Sequence, residues 1–297
     1  MTTPPEPFGV PGADPIGAED ATFSESYVDV GDGVRLRVMH WRPRMTQRQR
    51  PLLFVAGWIS VVQGWADFLR AAARHRPVFY VESREKVSAQ FDRTELEPSD
   101  FTIERCAEDL VALCRALPID VGETIVAGSS FGATSLIEAF KDGRLRPRGA
   151  FLVGPNSEFR IPWTARLVWH LPNPFFLVVK HAIVWHLRTF RIDVEAEPEQ
   201  MQRYEQTVMS AHPGRLKLSA RAITGYQIWP NLEQVSVPVA VAYAPSDKLH
   251  GAANVRRISE TLPSCTLVQC ASNLAMHSAQ LVDDVERFIA DLDRDPR

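Results

Sequence analysis

The sequence predicts an α/β protein: a mostly parallel central sheet, helices on both faces and a helical insertion over the end of the sheet. Short, almost continuously apolar runs recur along the chain, as strands covered on both faces do. Between them lie segments with apolar residues at three- and four-residue spacing, and this alternation implies right-handed crossovers between parallel strands. From about residue 155 to 232 the alternation stops, leaving helical and aromatic material without a convincing strand.

The elements follow in order. Met1 to Asp20 is rich in Pro, Gly and acids and has neither the basic start nor the apolar run of a signal peptide. Residues 1–22 are therefore expected to be a disordered lead-in, and the protein is expected in the cytoplasm. Tyr27 to Val30 and Val34 to Val38 alternate apolar and polar residues around Asp32-Gly33, the pattern of an antiparallel hairpin. Buried parallel strands are expected at Leu52 to Val55, Val78 to Val81, Thr124 to Ala127, Ala150 to Val153, Val237 to Tyr243 and Thr266 to Val268. Helical spacing is clearest in Ile103, Cys106, Ala107, Leu110, Leu113, Cys114 and Leu117, and again in Leu281, Val285, Phe288, Ile289 and Leu292. The expected core is thus residues 23–154 and 233–297, with the insertion at 155–232.

Composition narrows the function. Among 297 residues, 33 Lys and Arg against 36 Asp and Glu leave a net charge of −3, so no charge excess recruits nucleic acid. The four cysteines form no CxxC pair, and Cys265 and Cys270 on an extended strand would lie too far apart to bridge, which fits a reducing compartment. The most apolar stretch, Leu167 to Leu187, holds Pro172, Pro174, Lys180 and three histidines, too many interruptions for a bilayer span.

After the strand at Thr124 comes Gly128-Ser129-Ser130-Phe131-Gly132, then the helical Leu136-Ile137-Ala139-Phe140. This is GxSxG between a strand and a helix, where a tight turn leaves no room for side chains two residues either side of a strained Ser130. The rival is a phosphate-cradling loop, which lacks both GxGxxG and a following Lys. A serine nucleophile needs a base, and the base needs a group to fix its tautomer. His277 follows the last apolar strand through the loop Ala271 to Met276, at the sheet edge that also carries Ser130. The other histidines, His250 among them, read as poorly placed. For the acid, Asp247 ends the loop after Val237 to Tyr243, with Glu158 past Val153 as competitor.

Ser130, Asp247 and His277, in the order nucleophile, acid, base, resemble the α/β-hydrolase superfamily, and the resemblance runs from about Ser24 to the end. It implies the α/β-hydrolase fold, with the insertion as a cap or lid, and an oxyanion hole from the backbone N–H groups of Trp58 and Phe131. Two motifs depart from the family pattern: Ala56-Gly57 replaces His-Gly, and Glu82-Ser83-Arg84-Glu85-Lys86-Val87-Ser88 replaces Asp-x-Arg-Gly-x-Gly-x-Ser. Serine at the nucleophile position makes dehalogenases and epoxide hydrolases poor matches.

In the insertion, Trp163, Trp169, Phe175, Phe176, Trp185 and Phe190 suit ordinary cap packing or the wall of an apolar acyl pocket. Arg166, Lys180, Arg188 and Arg191 offer a weaker reading, rest on a membrane interface. The expected function is a cofactor-independent serine hydrolase, needing no metal, that acts on a small-molecule ester or thioester with an apolar acyl group. Acyl transfer, carbon–carbon bond hydrolysis and non-catalytic ligand binding stand as alternatives.

Overall fold

A computed structural model describes residues 12–45, 49–161, 172, 175–192, 194–195, 198–247 and 250–294. Among these, nine strands form one sheet: β1 (Ala21–Gly31), β2 (Val34–Pro43), β3 (Leu52–Val55), β4 (Val78–Val81), β5 (Gln90–Phe91), β6 (Ile125–Ser129), β7 (Gly149–Val153), β8 (Val239–Tyr243) and β9 (Cys265–Gln269). The order across the sheet is β1-β2-β4-β3-β6-β7-β8-β9, with β5 paired to β2 off this path. β2 runs antiparallel to β1 and β4, while every neighbouring pair from β4 to β9 is parallel. The expected sheet is thus present, hairpin included.

Because side chains alternate along a strand, each buried strand feeds two cores. Leu53, Val55, Val126 and Leu152 join one core with the helices α2 (Ile103–Ala116) and α3 (Phe131–Lys141). Leu52, Phe54, Ala127 and Phe151 join the other with α1 (Ala66–Ala73) and the C-terminal helix Gln280–Arg294. β9 departs from the buried pattern: it closes the sheet edge with one strand neighbour, and Leu267 is 40% exposed.

The lead-in also departs. Ile16, Ala18 and Ala21 are buried, and the Asp14 carboxylate accepts hydrogen bonds from Trp41 Nε1 at 3.0 Å and Ile16 N at 3.0 Å. The part from residue 14 to 22 is therefore fastened to the core, because one acid satisfies a buried indole and the chain's own turn.

Between β7 and β8 the described residues hold α4 (Phe176–His186), α5 (Pro198–Ser210) and α6 (Pro213–Ile223), and the only strand-like pairing is an isolated bridge from Glu158 to Gln227. α4 is apolar on both sides. Phe176 and Val184 face inward, while Leu177, Val178 and Trp185 face out. The buried Lys180 is explained by its donations to Met209 O at 2.8 Å and Ala211 O at 2.6 Å, which tie α4 to the carbonyl end of α5. Among the described residues no helix is long and apolar enough to cross a membrane.

Register lines up the site. Val55 pairs with Gly128, Ser129 with Val153, Val153 with Ala242, and Ala242 with Val268. The loops that follow β3, β6, β7, β8 and β9 therefore leave along one edge of the sheet, where open α/β sheets form their crevice.

Candidate active site

Ser130 stands between β6 and α3 at φ 49° and ψ −115°, a left-handed conformation that non-glycine residues adopt under constraint. The constraint is close packing. A Cβ on Gly132 would collide with the carbonyl oxygens of Val55 and Ala56, and one on Gly128 would lie 2.9 Å from Leu136 and 3.0 Å from Ala133 N. The glycines let α3 start directly against β3. The Phe131 N–H is one of the first-turn donors that have no partner within the helix.

Asn156 Nδ2 donates to Ser130 Oγ at 2.9 Å, and Asn156 N is itself fixed by Thr134 Oγ1 at 2.9 Å. A donor on Oγ stabilises negative charge there and leaves the hydroxyl proton free to go to a base. Sequence reasoning passed over Asn156; its signal was its place just after β7, beside the elbow.

His277 gives Nδ1 to Asn273 O at 2.8 Å and packs on Trp65 with ring centroids 4.3 Å apart. With the proton on Nδ1, Nε2 is left as the acceptor, the tautomer a base requires. Loss of solvation, followed by the Arg203 cation, pushes the imidazole down to about 3, while the Asn273 carbonyl and the Asp247 charge oppose the shift. His277 is neutral at pH 7.

Asp247, whose side chain is 5% exposed, meets His250 Nδ1 through Oδ2 at 2.7 Å. The expected acid thus hydrogen-bonds a second histidine and reaches His277 through its charge. His250 read as misplaced in the sequence, yet its ring sits over Gly154, where an added Cβ would lie 3.1 Å from it, and faces the same cavity as Ser130. Glu158 instead pairs with Arg160 at 2.5 Å and does not line that cavity.

Ser130, His277, His250, Trp58 and Arg203 line one cavity of about 90 Å³. Arg203, on α5, donates to the buried Asn273 Oδ1 at 2.8 Å. Next to this cavity is an apolar pocket of about 340 Å³, walled by Ile59, Phe176, Val179, Ile183, Val208 and Leu216. Trp58, Tyr204 and Thr207 border both. Of the aromatic residues expected to bind substrate, Phe176 lines the pocket. Phe175 and Trp185 face outward at 60% exposure and do not line it, because the other side of α4 supplies the wall. Trp163 and Trp169 lie outside the described residues.

The divergent loop Glu82 to Ser88 is an ionic support. Arg84 pairs with Asp109 of α2 at 2.5 and 2.7 Å, both buried, and Lys86 pairs with Glu85 at 3.1 Å.

Solved structures resemble the chain over most of its length. The enol-lactonase of Burkholderia xenovorans LB400 has a TM-score of 0.70 at 17% identity, covering 91% of this chain and 100% of that one. A thermophilic esterase from Thermogutta terrifontis has a TM-score of 0.66 at 17% identity, covering 87% of this chain and 94% of that one. For a bromoperoxidase from Bacillus anthracis the values are 0.68 and 12%, over 90% of this chain and 100% of that one. No family model matches the chain, and no curated protein matches it.

Proposed function

Because this chain has the α/β-hydrolase fold, we propose that it is a serine hydrolase that cleaves a carboxylic ester or thioester with an apolar acyl group. The observation that carries the reading is Ser130, held at φ 49° at a helix start in a cavity it shares with a neutral, correctly tautomerised His277. Ser130 Oγ attacks the acyl carbon while His277 Nε2 takes its proton. The Trp58 and Phe131 N–H groups hold the oxyanion, and His277 returns the proton to the leaving alcohol or thiol. Water, activated by the same imidazole, then releases the acid from the acyl-enzyme. Ser130 Oγ is bonded to Asn156 at present, and catalytic contacts of this kind commonly tighten only around the substrate. Asp247 supports the imidazolium by its charge, and the adjoining apolar pocket takes the acyl chain.

The test is a series of p-nitrophenyl esters and acyl thioesters of increasing chain length, run beside a fluorophosphonate probe. Medium-chain substrates should be preferred, and the probe should label Ser130 with one equivalent. Labelling at another residue, or full turnover in Ser130→Ala, would remove the reading. Acceptor alcohols in the same assay show whether the acyl group goes to water or is transferred.

A further inference from the structure

The Gly57–Trp58 peptide bears one of the two oxyanion donors, and groups from the loop after β4 hold its carbonyl and the N–H of the peptide that follows. Lys86 Nζ donates to Gly57 O at 2.6 Å, and Glu85 Oε1 accepts from Ile59 N at 3.1 Å. Ile59 is held at φ 50°, a region a β-branched residue enters only when its surroundings impose it. The two clamping side chains are 6% and 1% exposed, and Ser83 Oγ adds a hydrogen bond to Glu85 at 2.9 Å.

The direction of the grip matters. No peptide among the described residues is cis, so the Gly57 carbonyl and the Trp58 N–H point opposite ways. Lys86 lies in the loop after β4, and β4 and β6 flank β3 on opposite sides. A carbonyl drawn toward the β4 side turns the Trp58 N–H toward the β6 side, where Ser130 sits. Gly57 is close enough that an added Cβ would lie 3.6 Å from Ser130 Cβ. An ammonium on the carbonyl also polarises the peptide and makes its N–H a stronger donor.

Ions are a costly way to brace a loop, since well-packed apolar residues do as well or better in a buried site. Aiming a peptide dipole is a task apolar residues cannot perform. We propose that Lys86, seated by Glu85, is a positioning residue of the oxyanion hole, holding the Gly57 carbonyl so that the Trp58 N–H meets the oxyanion formed at Ser130. The cap takes part, because Arg215 of α6 donates to the carbonyl oxygens of Lys86 and, at 3.4 Å, of Val87. The proposal rests on the hydrolase reading of Ser130.

The experiment compares the full chain with Lys86→Met, using kcat and KM for a p-nitrophenyl ester and two inhibitors. A trifluoromethyl ketone adds Ser130 Oγ to its carbonyl and presents an oxyanion. Octanol fills the apolar pocket without forming an adduct. In a folded Lys86→Met, kcat and ketone affinity should fall together by about ten- to a hundredfold, while octanol affinity and KM stay within about twofold. Unchanged kcat, or an equal loss of both inhibitors, would overturn the proposal. Should Glu85 left alone in the interior unfold that variant, Glu85→Met/Lys86→Met removes both charges and is read by the same criteria. Failure of the fluorophosphonate to label wild-type Ser130 would sink the hydrolase reading itself, a result distinct from loss of aim in a labelled enzyme.

Discussion

At Gly132 a single methyl group has nowhere to go. It would meet backbone oxygens of Val55 and Ala56, which cannot rotate aside as a side chain would. Gly132→Ala should lower the stability read by urea unfolding by about 3 kcal/mol or more, and should displace Ser130. The histidines give a pH signature. His277, pushed down to about 3, and the buried His40, pushed down to about 4, bind protons near 6.5 once unfolded. The unfolded chain then takes up more protons than the folded one, so stability is fully present above pH about 6.5 and is lost as pH falls toward 3. Denaturation midpoints from pH 7.5 to 4 should decline, and less steeply in His277→Gln. Since His277 stays neutral, kcat/KM should hold level from about pH 8 to 5 instead of dropping near 6.5. Asp247→Asn tests the acid. Asn273 O, and not Asp247, fixes the His277 tautomer. The variant should therefore keep the His277 tautomer while losing charge support and weakening the His250 contact, about ten- to a hundredfold in kcat, short of the roughly ten-thousandfold that follows a wrong tautomer.

Among the elements, the loop after β4 is fastened to α2 by Arg84 and Asp109, whose side chains are 1% and 3% exposed. Removing one partner strands the other charge in the interior. Arg84→Met should cost about 3–5 kcal/mol in chemical denaturation, and Arg84→Met/Asp109→Leu should recover most of it. The same loop carries Glu85 and Lys86, so the single variant should also lose the proposed ester hydrolysis at temperatures where it remains folded. α4 places apolar residues on two faces: Phe176, Val179 and Ile183 wall the apolar pocket, while Leu177 and Val178 stay more than half exposed.

Across the whole molecule, Asp14 joins the first described segment to Trp41 in β2, and Arg70 of α1 donates to Ile16 O at 2.8 Å. Asp14→Ala leaves a buried indole N–H without its acceptor and should lower stability by about 1–3 kcal/mol, with a matching fall in Tm by scanning calorimetry. Asp14→Asn, which keeps the acceptor, should lose less.

What was legible in the sequence was whatever local pattern determines. Continuous apolar runs marked the strands, three- and four-residue spacing marked α2 and the last helix, and Gly128-x-Ser130-x-Gly132 marked the elbow, because strand pairing, helix burial and a tight turn each constrain neighbouring residues directly. The resemblance added the oxyanion-hole assignment to Trp58 and Phe131 and the expectation that the insertion is a cap. Contacts between loops were not legible. Asn156 meets Ser130 and Lys86 meets Gly57 only because the register of β3, β4, β6 and β7 brings four loops to one edge, whereas Asp247 and His250 stand three positions apart in one loop and meet locally. Side chains 26 and 29 positions apart leave no periodic trace in a sequence. The sequence by itself therefore determined the sheet, the helical segment between β7 and β8 and the strained serine. Tertiary structure alone decided which side chain meets Ser130 Oγ, which face of the helix Phe176–His186 lines the pocket and which cation holds the Gly57 carbonyl, since each depends on distances that exist only once the loops share an edge.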